Sequence, residues 1–113
     1  MTALTLRNLK ENRRIMHYFV FMSYEIASFE NFDYEFFNGE LEEMGLNSQI
    51  KSGENSLTPL PKFTYVGEYK YEDKDELKNL LYTEVKKLFQ SHGMDATIFI
   101  GVAENVTLGI ESF

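Results

Sequence analysis

The stretch His17-Tyr18-Phe19-Val20-Phe21-Met22-Ser23-Tyr24-Glu25 decides the fold of this chain. Tyr18, Val20, Met22 and Tyr24 alternate with Phe19 and Phe21, so both faces of an extended segment are apolar. A strand that must bury both faces belongs in the middle of a sheet. The rest of the sequence is therefore read as what surrounds residues 17–25.

Downstream, residues 29–45 read as a helix. Tyr34, Phe37, Leu41 and Met44 form one apolar stripe, and Gly45 is a natural stop. Ser28 or Asn31 can cap its start. Gly39 marks either close packing on the sheet or a break. Residues 47–53 give a short polar edge strand around Ile50. The prolines of Leu57-Thr58-Pro59-Leu60-Pro61 disfavour regular pairing there. Residues 63–71 alternate Phe63, Tyr65, Gly67, Tyr69 and Tyr71 with Thr64, Val66, Glu68 and Lys70, a clear strand. Gly67 marks a bulge or a close neighbour above it. Residues 74–91 carry Leu77, Leu80, Leu81, Val85, Leu88 and Phe89 at helical spacing, started by Asp73 and stopped by Gly93. Residues 96–103 are a second buried strand, and 105–110 a short final one.

The order is strand, helix, weak strand, strand, helix, strand. The expected fold class is α+β: a ferredoxin-like split βαβ, β-α-β-β-α-β, with a four-stranded antiparallel sheet and two helices on one face. Right-handed crossovers favour sheet order 4-1-3-2, with 17–25 and 63–71 at the centre. The other sheet face then carries surplus aromatics, which suits RNA stacking or a homodimer interface.

The 113 residues allow one domain, 17–113, preceded by a polar basic leader, 1–16. The leader holds four bases and one acid, and is read either as disordered or as sequence upstream of a natural start at Met16. A basic arm that contacts an acidic partner is the competing reading. The remainder holds seven bases and seventeen acids. Residues 17–47 contain seven acids and no Lys or Arg. Such a surface repels phosphate backbones and attracts basic partners. Glu40, Glu42 and Glu43 are the candidate partner-binding residues. No apolar run spans a bilayer and no secretory signal is legible, so the expected setting is cytoplasmic, without a membrane partner.

Cysteine is absent, which excludes disulfides, thiolate metal sites and cysteine nucleophiles. There is no HExxH, phosphate-binding loop, GxGxxG or GxSxG. His17 and His92 read as surface or capping histidines. Glu25 ends the first strand. Two such carboxylates meeting across a homodimer axis can hold Mg²⁺, so Glu25 is the candidate catalytic and metal-binding residue. Lys62 and Thr64, with Lys51, are candidates for gripping a substrate phosphate.

With these residues in view, the chain resembles two related families. In the CRISPR-associated Cas2 family an opening strand ends in Tyr-Asp-Ile. Here Tyr24-Glu25-Ile26 is similar, with Glu25 where that family has its metal-binding Asp. The GhoS antitoxin family, endoribonucleases of the same fold, is similar in pattern and length over residues 17–103. The resemblance implies an RNA-cleaving, antitoxin-type regulator, with Mg²⁺ as the possible cofactor and RNA as the possible partner. The alternative is a non-catalytic acidic interaction module, a nucleic-acid mimic that occupies a basic nucleic-acid-binding protein.

Overall fold

The structure, a computed structural model, describes residues 14–51 and 56–113. Strand β1 (Met16–Ile26) is followed by helix α1 (Tyr34–Glu43), short strands β2 (Gln49–Lys51) and β3 (Leu57–Pro59), strand β4 (Thr64–Tyr71), helix α2 (Lys74–Ser91) and strand β5 (Ala96–Ala103). The fold is α+β, with a three-stranded antiparallel sheet in the order β4-β1-β5 and a separate β2-β3 hairpin. The leader is outside the described residues except for Arg14, Ile15 and Met16, and Met16 already opens β1 opposite Tyr71.

β1 is central, as its two apolar faces require. Tyr18, Val20, Met22 and Tyr24 are buried on the helix-covered face, together with Phe37 and Leu41 of α1 and Leu77, Leu81, Val85 and Phe89 of α2. Phe19 and Phe21 lie on the other face and are half-buried. The described residues leave no polar side chain buried without a partner, so the core is closed by hydrophobic packing.

The expected four-stranded sheet is a three-stranded one. Its intended fourth strand shrinks to a single bridge, Asn47 against Val66. Asn47 N–H donates to the Val66 carbonyl at 2.7 Å, and Val66 N–H donates back at 2.9 Å. The chain then leaves β4 and pairs with residues 57–59 instead. Asn47-Ser48-Gln49 has almost nothing apolar to lay along β4, so continued pairing there gains little burial. The prolines do not prevent pairing. Pro59 sits opposite Gln49 at the end of a three-residue strand, a position where a missing N–H is tolerated. Residues 104–113 form no strand.

α1 is shorter than the expected span of 29–45 because Asp33, not Ser28 or Asn31, caps it. The Asp33 side chain accepts from Phe36 N–H at 3.1 Å. Asn31 has a positive φ of 60° and cannot be helical. Ser28 instead accepts from Glu30 N–H within the preceding loop. Gly39 neither breaks α1 nor packs closely, since a Cβ there would meet nothing within 4 Å. Gly67 is where close approach occurs. A Cβ would strike the Gly45 carbonyl, which lies over β4 after α1 ends. Gly45 itself has φ +94°, the left-handed turn that stops the helix. α2 is capped by Asp73, which accepts from Asp75 and Glu76 N–H at 2.8 and 3.1 Å.

Candidate functional site

The side chains singled out from the sequence fall in separate places. Glu25 is exposed at the end of β1, opposite Thr97. It lines a shallow recess of about 200 Å³ with Ile26, Ala27, Asp95, Ala96 and Thr97. Ala27 N–H donates to the Asp95 carbonyl at 3.1 Å, which ties the two strand ends together and sets both acids at the same recess. Mg²⁺ is commonly held by one or two carboxylates while it keeps several waters. Two carboxylates therefore suit the ion in kind, but among the described residues no group of three or more His, Asp or Glu side chains converges.

Lys62 and Thr64 are not brought together. Phe63, between them, has a φ of 67°, an uncommon conformation for a bulky residue. The chain turns there, and Lys62 Nζ comes to lie 5.0 Å from the centre of the Tyr34 ring and 5.3 Å from that of Phe63. Thr64 begins β4 and pairs with Ser23 on the face away from the helices. Lys51 is elsewhere again, at the rim of an open cavity of about 490 Å³ whose lining includes Phe19, Phe21, Ile50 and Leu108. Each of the three thus has its own neighbours: Lys62 the Tyr34 and Phe63 rings, Thr64 the β1 strand, and Lys51 the cavity of Phe19 and Phe21.

Phe63 is held in its turn by aromatic neighbours. Its ring centre lies 5.1 Å from Tyr24, 5.5 Å from Tyr34 and 5.8 Å from Phe29. Beneath this cluster runs a hydroxyl chain. Tyr65 donates to Asn38 Oδ1 of α1, and the Tyr24 hydroxyl lies 3.4 Å from that of Tyr65. Burial pushes the Tyr24 hydroxyl up to about 12, and that of Tyr65 further in the same direction. Tyr69 is likewise pushed up to about 12 by burial, and it donates to the Met44 carbonyl at 2.7 Å. These hydroxyls stay protonated and fasten α1 to β4. They are poor acids for catalysis near neutral pH.

The histidines are structural. His92 caps α2, its Nδ1 lying 2.9 Å from the Leu88 carbonyl, so that nitrogen carries the proton. His17 Nε2 is 3.7 Å from Glu68 across the strands.

The acidic residues of α1 lie at its surface. Glu42 and Glu43 are exposed and Glu40 is half-buried. None of the three makes an ion pair among the described residues. Helical spacing sets Glu40 and Glu43 on one stripe with Phe36. Phe36 is 37% exposed and its ring lies 4.8 Å from that of His92. Together with Asp33, Phe37, His92 and Met94 it lines a recess of about 270 Å³. Sequence reasoning missed Phe36, because it lies one position off the buried stripe and only the packing of His92 beside it makes an anchor of it.

No protein-family model, curated protein or solved structure matches the chain.

Proposed function

We propose that the chain is an acidic interaction module that engages a basic, nucleic-acid-binding protein in the cytoplasm through the outer face of α1. The observation that carries the reading is the exposed Phe36, which lines a recess and shares a helical stripe with Glu40 and Glu43, two carboxylates unpaired among the described residues. An apolar anchor followed along the helix by carboxylates suits a basic segment, whose Lys or Arg stems pack on the ring while their charged heads meet the acids. On this reading the frame is a ferredoxin-like one whose fourth strand is reduced to the Asn47 bridge, and it presents α1 on a rigid sheet.

The test uses a labelled Arg-rich polypeptide of defined sequence as probe, read by fluorescence anisotropy. Reversing Glu40, Glu42 and Glu43 to Lys is expected to weaken binding by roughly tenfold or more, the lower end of what charge steering supplies. Reversing the same number of acids on α2, at Asp75, Glu76 and Glu84, controls for net charge. Equal losses in the two variants would show that overall charge alone binds the probe, and would overturn the α1 surface.

A second reading, the GhoS- or Cas2-like endoribonuclease, rests on Glu25 and Asp95 lining one recess. It predicts Mg²⁺-dependent cleavage of RNA that Glu25→Gln abolishes. Cleavage unchanged in that variant removes Glu25 from the reaction.

A further inference from the structure

β5 is an outer strand of the sheet, and from Ala96 to Ala103 it contains no charged residue and no proline. Outer strands are ordinarily protected by charges, prolines or bulges, because their free backbone groups recruit other strands. In a chain that is 26% charged, eight uncharged edge residues are an exposed pairing template.

The phase of the backbone bonds shows which groups are free. Tyr24 N–H turns to the Phe63 carbonyl, on the β4 side, while Ala27 N–H turns to Asp95, on the β5 side. Antiparallel bonding alternates residue by residue, so odd-numbered residues of β1 bond to β5. On β5 the odd residues therefore bond inward, and Ile98, Ile100 and Val102 direct their N–H and C=O groups outward. The Tyr82 hydroxyl confirms this phase by donating to the Ile98 carbonyl at 3.3 Å. That carbonyl keeps a second lone pair for another donor.

Two features of the uncovered sheet face then complement each other. Phe99 is 64% exposed. Gly101, two residues further on the same face, has open space above it, with nothing within 4 Å of a Cβ built there. In an antiparallel pair of β5 strands centred on Ile100, Phe99 lies directly opposite Gly101 of the partner subunit, and the ring fills the space that glycine leaves. The relation is its own two-fold mate, as an isologous contact requires. Leu108, in the segment after β5, lines one open cavity with Phe19, Phe21 and Ile50, on the β2 side of the open face and away from the β5 edge. Its position over the open face disfavours a face-to-face dimer.

We infer that the chain forms a two-fold dimer by antiparallel pairing of β5 with β5 of a second copy, in the register that sets Phe99 on Gly101. The two sheets then join into one continuous sheet with β5 at the two-fold axis.

Three measurements on the full chain test this. Sedimentation is expected to give about twice the 13.2 kDa chain mass. Phe99→Lys, at an exposed position whose folding is checked by circular dichroism, is expected to return the mass to one chain. The double variant Thr97→Cys with Ala103→Cys leaves Phe99 and Gly101 in place. In the inferred register Cys at 97 faces Cys at 103 of the other copy in a non-hydrogen-bonded pair, with Cα atoms about 4.5 Å apart, within disulfide range. Because the chain has no other cysteine, oxidation should convert this variant to a covalent dimer. A monomer at every concentration overturns the inference. So does a dimer that survives Phe99→Lys, or one that the cysteine pair does not cross-link.

Discussion

Replacing Gly67 with Ala should destabilise the fold strongly, whereas the same replacement at Gly39 should stabilise it. At Gly67 the added methyl meets the Gly45 backbone and the Tyr69 ring. Backbone cannot rotate aside as a flexible side chain can, so the cost is that of overpacking, roughly 1–3 kcal/mol. The segment that must move carries Asn47, whose two backbone bonds to Val66 are the only link between the α1 exit and β4 in the hydrogen-bond ladder of the described residues. Losing them adds about 1 kcal/mol each. The expected loss is about 3–5 kcal/mol, a large part of the stability of a small domain. Gly39 lies inside α1 with open space around it, so Ala there gains about 0.5–1 kcal/mol from helix propensity. Urea unfolding followed by circular dichroism measures both, with unchanged slopes required for the comparison. If Gly67→Ala matches the parent midpoint, Gly45 does not rest on β4 as described. If Gly39→Ala is the more damaging, the α1 packing is wrong.

Three further outcomes follow from the same geometry. Leu41→Ala, at a fully buried α1 position, should cost about 2–5 kcal/mol in urea unfolding. Asp33→Ala and Asp73→Ala should each cost about 0.5–2 kcal/mol, with Asp73 the more costly because it accepts from two N–H groups instead of one. Stability should fall as the pH rises from about 10 to about 12. The unfolded chain loses tyrosine protons above about 10, while burial keeps Tyr24 and Tyr69 protonated in the native state to about 12. Tyrosinate absorbance should then rise with unfolding, and Tyr24→Phe should lessen the alkaline slope. A slope unchanged in that variant would mean Tyr24 ionises without opposing the fold.

The sequence made the sheet and the second helix legible because both rest on strong periodicity. β1 alternates over its whole length, and α2 carries a long apolar stripe started by Asp73. What stayed hidden depends on tertiary events. Whether residues 47–51 would lie along β4 or peel away was decided by how little they could bury, and a strand propensity cannot show that. The start of α1 turned on the choice among Ser28, Asn31 and Asp33, three good caps within six residues. The placement of Glu25 at a strand end was legible, and so was the acidity of α1. That Asp95 would share a recess with Glu25 was not, because it required the β1–β5 register. The splitting of Lys62 from Thr64 came from the left-handed conformation at Phe63, which no local pattern announces.

The two proposed surfaces rest on different elements, α1 and β5, and this makes them separable. α1 is fastened to β4 through Tyr65–Asn38, Tyr69–Met44 and the Gly45–Gly67 approach, whereas β5 is reached through β1 and from α2 by Tyr82. Like-charged copies approach at least cost where neither carries charge, and β5 supplies such an edge. A dimer so formed presents two α1 faces to one basic partner, and the second contact benefits from the first. Phe99→Lys should therefore leave the affinity of a single α1 face for a short Arg-rich probe unchanged, yet weaken capture of a long one that can span both faces. Glu40→Lys with Glu43→Lys should weaken both probes and leave the sedimenting mass at two chains. If Phe99→Lys weakened the short probe as much as the long one, the edge and the helix face would be one surface, and the division of labour argued from the strand order would fail.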